Sequence, residues 1–185
     1  MNLFNKVLQE AFKFSASEDP NERYAKLLAS MTKDGVLTLP ETPPPNRWKE
    51  GRKLDLRDSG ITELPNNITK IIGTLILTNC KIKSLPPNLT RVENGSLDLT
   101  KTLITELPEN LKFIHYTLKL RWCKIKTLPE DLFVQNEIFL DHSDIEDIPR
   151  SITTSILHVE NTPFANKVDH NQLNRLYPNV ELIYV

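Results

Sequence analysis

At 185 residues, 39% hydrophobic and 25% charged, the chain has an ordinary soluble composition, with length for one core and a small cover. Its formal charge of -1 excludes a general attraction to nucleic acid or an anionic membrane surface, and no apolar run approaches the roughly 20 residues that span a bilayer. Two cysteines do not make a disulfide scaffold, and the start MNLFNKVLQEAFKF lacks the apolar block and cleavage site of a secretory signal, so the expected setting is a reducing cytoplasm.

The first predicted elements are two short helices. Leu3, Phe4, Val7, Leu8, Ala11 and Phe12 share one helical face. A second helix starts at Asp19, with Pro20 at its first position and Glu22 completing a capping-box pattern; Gly35 marks its end. Tyr24, Leu27, Leu28 and Met31 form its apolar stripe. Residues 1–35 are therefore expected to form a helical cap. Residues 36–52, containing LPETPPPNRW, read as a stiff proline-rich connector, with Trp48 sealing the first coil of the repeats; an SH3-type ligand is the other use for such prolines.

Residues 53–164 repeat one line. LDLRDSGITELP from Leu54 recurs as LILTNCKIKSLP, LDLTKTLITELP, LKLRWCKIKTLP and IFLDHSDIEDIP, with a shortened LHVENTPF last, at steps of 21, 22, 21, 20 and 19 residues. Two apolar residues one position apart, as in Leu54 and Leu56, make a short strand with one face inward. The next two, as in Ile61 and Leu64, are too irregularly spaced to continue it, so the chain must turn. The proline that closes each line (Pro65, Pro86, Pro108, Pro129, Pro149) then favours an extended return, pinned by Ile68, Leu89, Leu111, Leu132 or Ile152. One such unit cannot bury its own leucines, whereas a stack of them can. The expected architecture is an α/β solenoid of about six coils of 19–22 residues, with a concave parallel β-sheet and no room for a long outer helix. Residues 165–185 are expected to cover the far end, with a helix from Ala165 to Leu176 and an edge strand in VELIYV.

One column of each line is small and polar: Ser59, Cys80, Thr102, Cys123, Ser143 and Thr162. An inward side chain there can satisfy loop backbone groups that would otherwise be buried without partners. Both cysteines thus take a place that other coils give to serine or threonine. Two coils apart, their Cα atoms should stand roughly 10 Å from each other, beyond disulfide reach. No catalytic residue, metal site or cofactor is assigned.

His115, His142, His158 and His170 show no metal-binding spacing, although His142 and His158 on adjacent coils, near Asp141 and Glu160, form the one constellation with acid–base or metal potential. Lys81, Lys83, Lys101, Lys119, Arg121, Lys124 and Lys126 tint the middle coils basic, and Asp141, Asp144, Glu146 and Asp147 make the next coil acidic. Such a distribution can steer a protein partner and suits a phosphate backbone poorly. Residues between and after the paired leucines face outward on the concave side. Among them Ile76, Lys101, Lys119, Arg121, Trp122, Phe139, Asp141, His142 and His158 are the predicted partner-binding set, with Trp122 and Phe139 as exposed aromatic anchors.

The coils match the leucine-rich repeat pattern LxxLxLxxNxLxxLP. The lines NLTRVENGSLDLTKTLITELPENL and LDLRDSGITELPNNI resemble repeats encoded by tailed phages and related bacterial genes, and the short LPxxL repeats of secreted bacterial effectors. The chain lacks the longer array and the C-terminal catalytic domain of the ubiquitin-ligase effectors, so ligase activity is not carried over. The resemblance implies a non-enzymatic phage protein in the host cytoplasm, binding a host protein to inhibit or redirect it. A secreted effector acting on a eukaryotic protein is the alternative, and a virion component or a Cys/His-based enzyme ranks behind both. No nucleic acid, membrane or cofactor is implied, and the oligomeric state is left open.

Overall fold

A computed structural model describes residues 19–41 and 51–185; the helix expected over Leu3 to Phe12, the prolines Pro43 to Pro45 and Trp48 lie outside the described residues. Helix α1 (Pro20–Ser30) begins where Asp19 accepts a hydrogen bond from the Asn21 N–H at 2.9 Å, with Pro20 at the first position and Glu22 in the first turn. It buries Leu27 and Leu28. Gly35 does not end this helix as the sequence predicts. Asp34 and Gly35, at φ 50° and 77°, form the two-residue turn of a hairpin between β1 (Thr32–Lys33) and β2 (Val36–Thr38). Positive φ at both turn positions is what the Asp-Gly dipeptide supplies. Val36 to Thr38, inside the segment read as a connector, is thus a strand.

From β2 onward the chain winds as a parallel-strand β-solenoid of about five turns. Seven strands form one sheet: β3 (Lys53–Asp55), β5 (Thr74–Ile76), β7 (Leu97–Asp98), β9 (Thr117–Lys119), β11 (Glu137–Phe139), β12 (Thr154–His158) and β13 (Val180–Tyr184). Leu54, Leu75, Leu97, Leu118, Ile138 and Leu157 align in register across it. They, the second leucine column, the isoleucines after the turn and the residues before each proline are all buried in one continuous core. Fully burying one such side chain contributes roughly 1.5–3 kcal/mol, and here each is covered by the turns above and below.

The return path differs from the expected polyproline-like run. After a tight turn in which the Ile68, Leu89 and Leu111 N–H groups bond back to the proline carbonyls three residues earlier, the chain enters a second short strand. These strands are β4 (Lys70–Ile72), β6 (Arg91–Glu93), β8 (Phe113–Ile114) and β10 (Phe133–Val134). With β1 and β2 they make a six-stranded sheet, parallel except for the first hairpin. Each strand buries a single residue, Ile71, Val92, Ile114 or Val134. Proline ends one ladder, but the N–H groups beyond it are free to start another.

The corner between the sheets is sharp. Gly73 alone separates β4 from β5, at φ 113°, where a Cβ would meet the Arg52 carbonyl oxygen at 2.5 Å. One turn on, a Cβ at Gly95 would stand 2.0 Å from the Gly73 carbonyl carbon. The two backbones pass too closely for any side chain.

The expected single helix from Ala165 to Leu176 is broken. Helix α2 (Pro163–Lys167), N-capped by Thr162, ends at Val168 in extended conformation. Asp169 then caps a 3₁₀ turn over His170–Gln172, which leads into α3 (Leu173–Leu176). An aspartate that bonds the N–H two residues on starts a new turn more readily than it continues an old one. Tyr177 packs edge-on against Phe164 and donates to the Ile148 carbonyl at 3.0 Å, tying this segment to the last turn before β13 closes the sheet.

Candidate functional site

Every strand of the seven-stranded sheet from β3 to β12 runs into the same turn. Its third residue is Asp58, Asn79, Lys101, Trp122, His142 or Asn161, all at φ between 57° and 62°. The N–H of the fourth residue returns to the carbonyl of the first, as from Ser59 to Leu56 and Cys123 to Leu120. The left-handed residue meanwhile donates to the next turn, Trp122 to Asp141 and His142 to Glu160 among them, so the ladder continues through the bend. Asparagine and aspartate adopt this conformation readily, whereas other L-residues pay roughly 1–2 kcal/mol. A tryptophan there is not explained by the backbone. The residue is 54% exposed, and its ring lies flat on His142, centroids 4.2 Å apart.

Beside that pair runs a second stack. Phe139, His158 and Tyr184 are in register on β11, β12 and β13. Their rings follow one another at 4.2 and 4.9 Å, nearly parallel, and the Arg121 guanidinium covers the free face of Phe139 at 4.1 Å. Stacked rings and a cation over an aromatic face are each worth about 0.5–1.5 kcal/mol, which fixes these side chains before any partner arrives. Phe139 is consequently half-buried, not freely exposed. The expected approach of His142 to His158 gives way to two separate stacks. Tyr184 was not in the predicted set: its distance along the chain from His158 breaks the repeat, and only its place in VELIYV hinted at the column.

Arg121 also donates from Nε to Asp141 at 2.6 Å. Asp141 is buried and lies against Glu160 of the next turn. Burial pushes the Asp141 carboxyl up, but hydrogen bonding by Glu160 and Arg121 outweighs it and holds Asp141 below the usual aspartate range. Glu160 is raised, first by its contact with Asp141 and then by burial. Two carboxylates in contact cannot both ionise cheaply, and the one beside the arginine keeps its charge. His158 Nε2 stands 3.0 Å from Glu137 Oε2. Asp141, His158 and Glu160 are the residues here that could hold a metal ion, with one ligand atom of each within 4.8 Å of the others.

The remaining predicted residues are spread over the same face. Ile76 is buried in the sheet floor, 8% exposed, and so offers no contact area. Lys101 is exposed at its turn, and Lys119 lies 3.7 Å from Asp98. The expected separation of basic and acidic coils is offset in part across the turns: Arg121 pairs with Asp141, and Lys126 with Glu146 at 2.8 Å. A hollow of about 560 Å³, lined by Arg52, Thr74, Asn94, Asp98, Tyr116 and Lys119 among others, opens on the earlier turns of this face.

The polar column lies behind the turns. Cys80 and Cys123 are free, buried thiols whose Sγ atoms donate to the carbonyls of Leu56 and Leu99, each at 3.0 Å. Thr102 and Thr162 donate to the carbonyls of Leu99 and Val159 at 2.7 and 2.6 Å, and Ser59 contacts Cys80 at 3.5 Å. Ser143 Oγ is buried with no hydrogen-bond partner among the described residues. Burial pushes the Cys123 thiol up, away from the thiolate that nucleophilic chemistry requires.

Among the described residues no helix is long and apolar enough to cross a membrane. Compared with known families and curated proteins, the chain matches no family model and no curated protein.

Proposed function

We propose that this is a leucine-rich repeat protein that binds a protein partner non-enzymatically, through the open face of its seven-stranded sheet. The observation that carries the reading is Trp122: a half-exposed indole in a strained left-handed position, stacked on His142 and next to the Arg121–Phe139–His158–Tyr184 column. Large aromatics and arginine held in one conformation lose little entropy on binding and are the residues that dominate interface energetics. Lys101, Lys119 and His142 supply the polar rim, and the buried Asp141 holds Arg121 in place. The segments on either side of the repeats, α1 with the first hairpin and α2 to β13, act as covers for the ends of the core.

The phage-like repeat lines support a bacterial host cytoplasm as the setting and a host protein as the partner, inhibited or redirected by steric occupation. The test is capture of the partner from host lysate, its identification by mass spectrometry, and titration against substituted chains. Trp122→Ala and Phe139→Ala should each weaken binding at least about fivefold, the equivalent of 1 kcal/mol. Unchanged affinity in both variants would remove the site from this face.

A further inference from the structure

At the junction of β11 and β12 three metal-ligating groups converge from two successive turns. One carboxylate oxygen of Asp141, one ring nitrogen of His158 and one carboxylate oxygen of Glu160 all lie within 4.8 Å of one another. Ligand atoms around a tetrahedral cation with bonds of about 2.1 Å stand about 3.4 Å apart, so closure needs side-chain adjustments of about an ångström.

Two further observations point to a ligand. Glu160 Oε2 is buried from solvent and receives no hydrogen bond from another donor group among the described residues; its neighbour is the Asp141 carboxyl, itself only 8% exposed. Two carboxyl groups brought together in this way need either a shared proton or a cation between them. The second is the setting of His158. Its Nε2 is engaged by Glu137 Oε2 at 3.0 Å, which places the proton on that nitrogen and leaves the Nδ1 lone pair free. Its ring is clamped between Phe139 and Tyr184 at 4.2 and 4.9 Å. A carboxylate behind an imidazole is the usual way a ligating histidine is oriented. Arg121 donates to Asp141 Oδ2 at 2.6 Å.

We propose that Asp141, His158 and Glu160 form a binding site for a first-row divalent cation, Zn²⁺ foremost, with Glu137 as the residue that orients the imidazole. The imidazole selects against Mg²⁺ and Ca²⁺, which prefer oxygen ligands, and the carboxylates against Cu⁺. The site lies within the same face, since His158 belongs to its aromatic column, whereas Trp122 and His142 belong to the neighbouring stack.

The test is calorimetric titration of the full chain with ZnCl₂ in a non-chelating buffer at neutral pH, with MgCl₂ and CaCl₂ as controls. One equivalent of Zn²⁺ should bind, at least tenfold more tightly than either control. Glu160→Gln and His158→Gln should each weaken it at least tenfold, and Glu137→Gln by 10–100-fold, the range for an outer-sphere partner. His142→Gln and Cys123→Ser should leave it unchanged. Should the ligand variants fail to fold, ¹⁵N ring spectra of the unsubstituted chain still decide: Zn²⁺ must move His158 at Nδ1 and leave His115, His142 and His170 in place. No Zn²⁺ uptake, uptake that Glu160→Gln and His158→Gln do not weaken, or ring shifts at another histidine would each overturn the proposal and leave a carboxyl pair sharing one proton.

Discussion

Trp122 and His142 hold the same left-handed turn position in successive turns, φ 62° and 58°, and their rings stack at 4.2 Å with 13° between planes. Three of the other turns fill that position with Asp58, Asn79 and Asn161, which suit the backbone better. Substituting Trp122→Asn therefore relieves conformational strain and gives up a ring contact of similar size. The unfolding free energy, measured by denaturant titration, should change by less than about 1 kcal/mol. Partner affinity should nonetheless fall at least about fivefold. A variant that loses stability and binding in proportion would mean that the indole serves the fold.

Gly95→Ala tests the corner between the sheets. The new methyl would meet the Gly73 backbone at 2.0 Å, with only main-chain atoms to give way. Overpacking of this kind costs typically 1–3 kcal/mol or more, and here the adjoining strands β6 and β7 must shift with it. Gly60→Ala is the comparison, because its φ is 75° but nothing lies within 4 Å of the added carbon. It should lose only the roughly 1–2 kcal/mol of a left-handed alanine. Thermal melting should rank Gly95→Ala well below Gly60→Ala, and equal losses would show that the backbones can part.

Six strands of the seven-stranded sheet were legible because each line buries two residues one position apart and repeats the pair every 19–22 residues, whereas β13 buries only Val180. The six-stranded sheet was not. Its strands are two or three residues long and bury one side chain each, too little for an alternation. What signal existed was the column Ile71, Val92, Ile114 and Val134, read only after alignment on the leucines. The proline before it suggested that hydrogen bonding had ended, whereas it had ended only for three or four residues. Of the site, Phe139 and His158 could be placed because they flank the buried leucines. Glu137 and Tyr184 could not: Glu137 precedes the pair on which the lines were aligned, and the segment from α2 to α3 shifts Tyr184 out of the repeat.

Cys123 should behave as a buried small polar residue. Its Sγ lies 3.0 Å from the Leu99 carbonyl and 3.4 Å from Thr102 Oγ1, and desolvation keeps the thiol protonated. Native protein should react with a thiol reagent far more slowly than unfolded protein at the same pH, for Cys80 and Cys123 alike, since both are buried. Cys123→Ser should cost no more than about 1 kcal/mol, because the hydroxyl can make the same bond to Leu99. Cys123→Val keeps the volume and leaves the Leu99 carbonyl still bonded by Thr102, whose Oγ1 donates to it at 2.7 Å, so its cost should also stay within about 1 kcal/mol. Rapid native labelling would place the thiol at the surface.

Glu93 links the six-stranded sheet across turns, with Oε2 at 2.6 Å from Lys70 Nζ and Oε1 at 3.2 Å from Arg91. Hydrogen bonding by Lys70 holds its carboxyl below the usual glutamate range, against an opposing push from burial. A depressed folded-state pKa adds stability above the unfolded value, about 4.3, and that contribution is lost as pH falls toward the folded value. Glu93→Gln removes the titration but keeps the shape. It should melt below the unsubstituted chain at pH 7, and the gap should narrow steadily once pH drops under about 4, because protonated Glu93 and glutamine are then nearly equivalent. The same gap should shrink at high salt, since both partners are only partly shielded. A difference that persists unchanged at low pH would show that the glutamine perturbs packing and that the Lys70 pair contributes nothing.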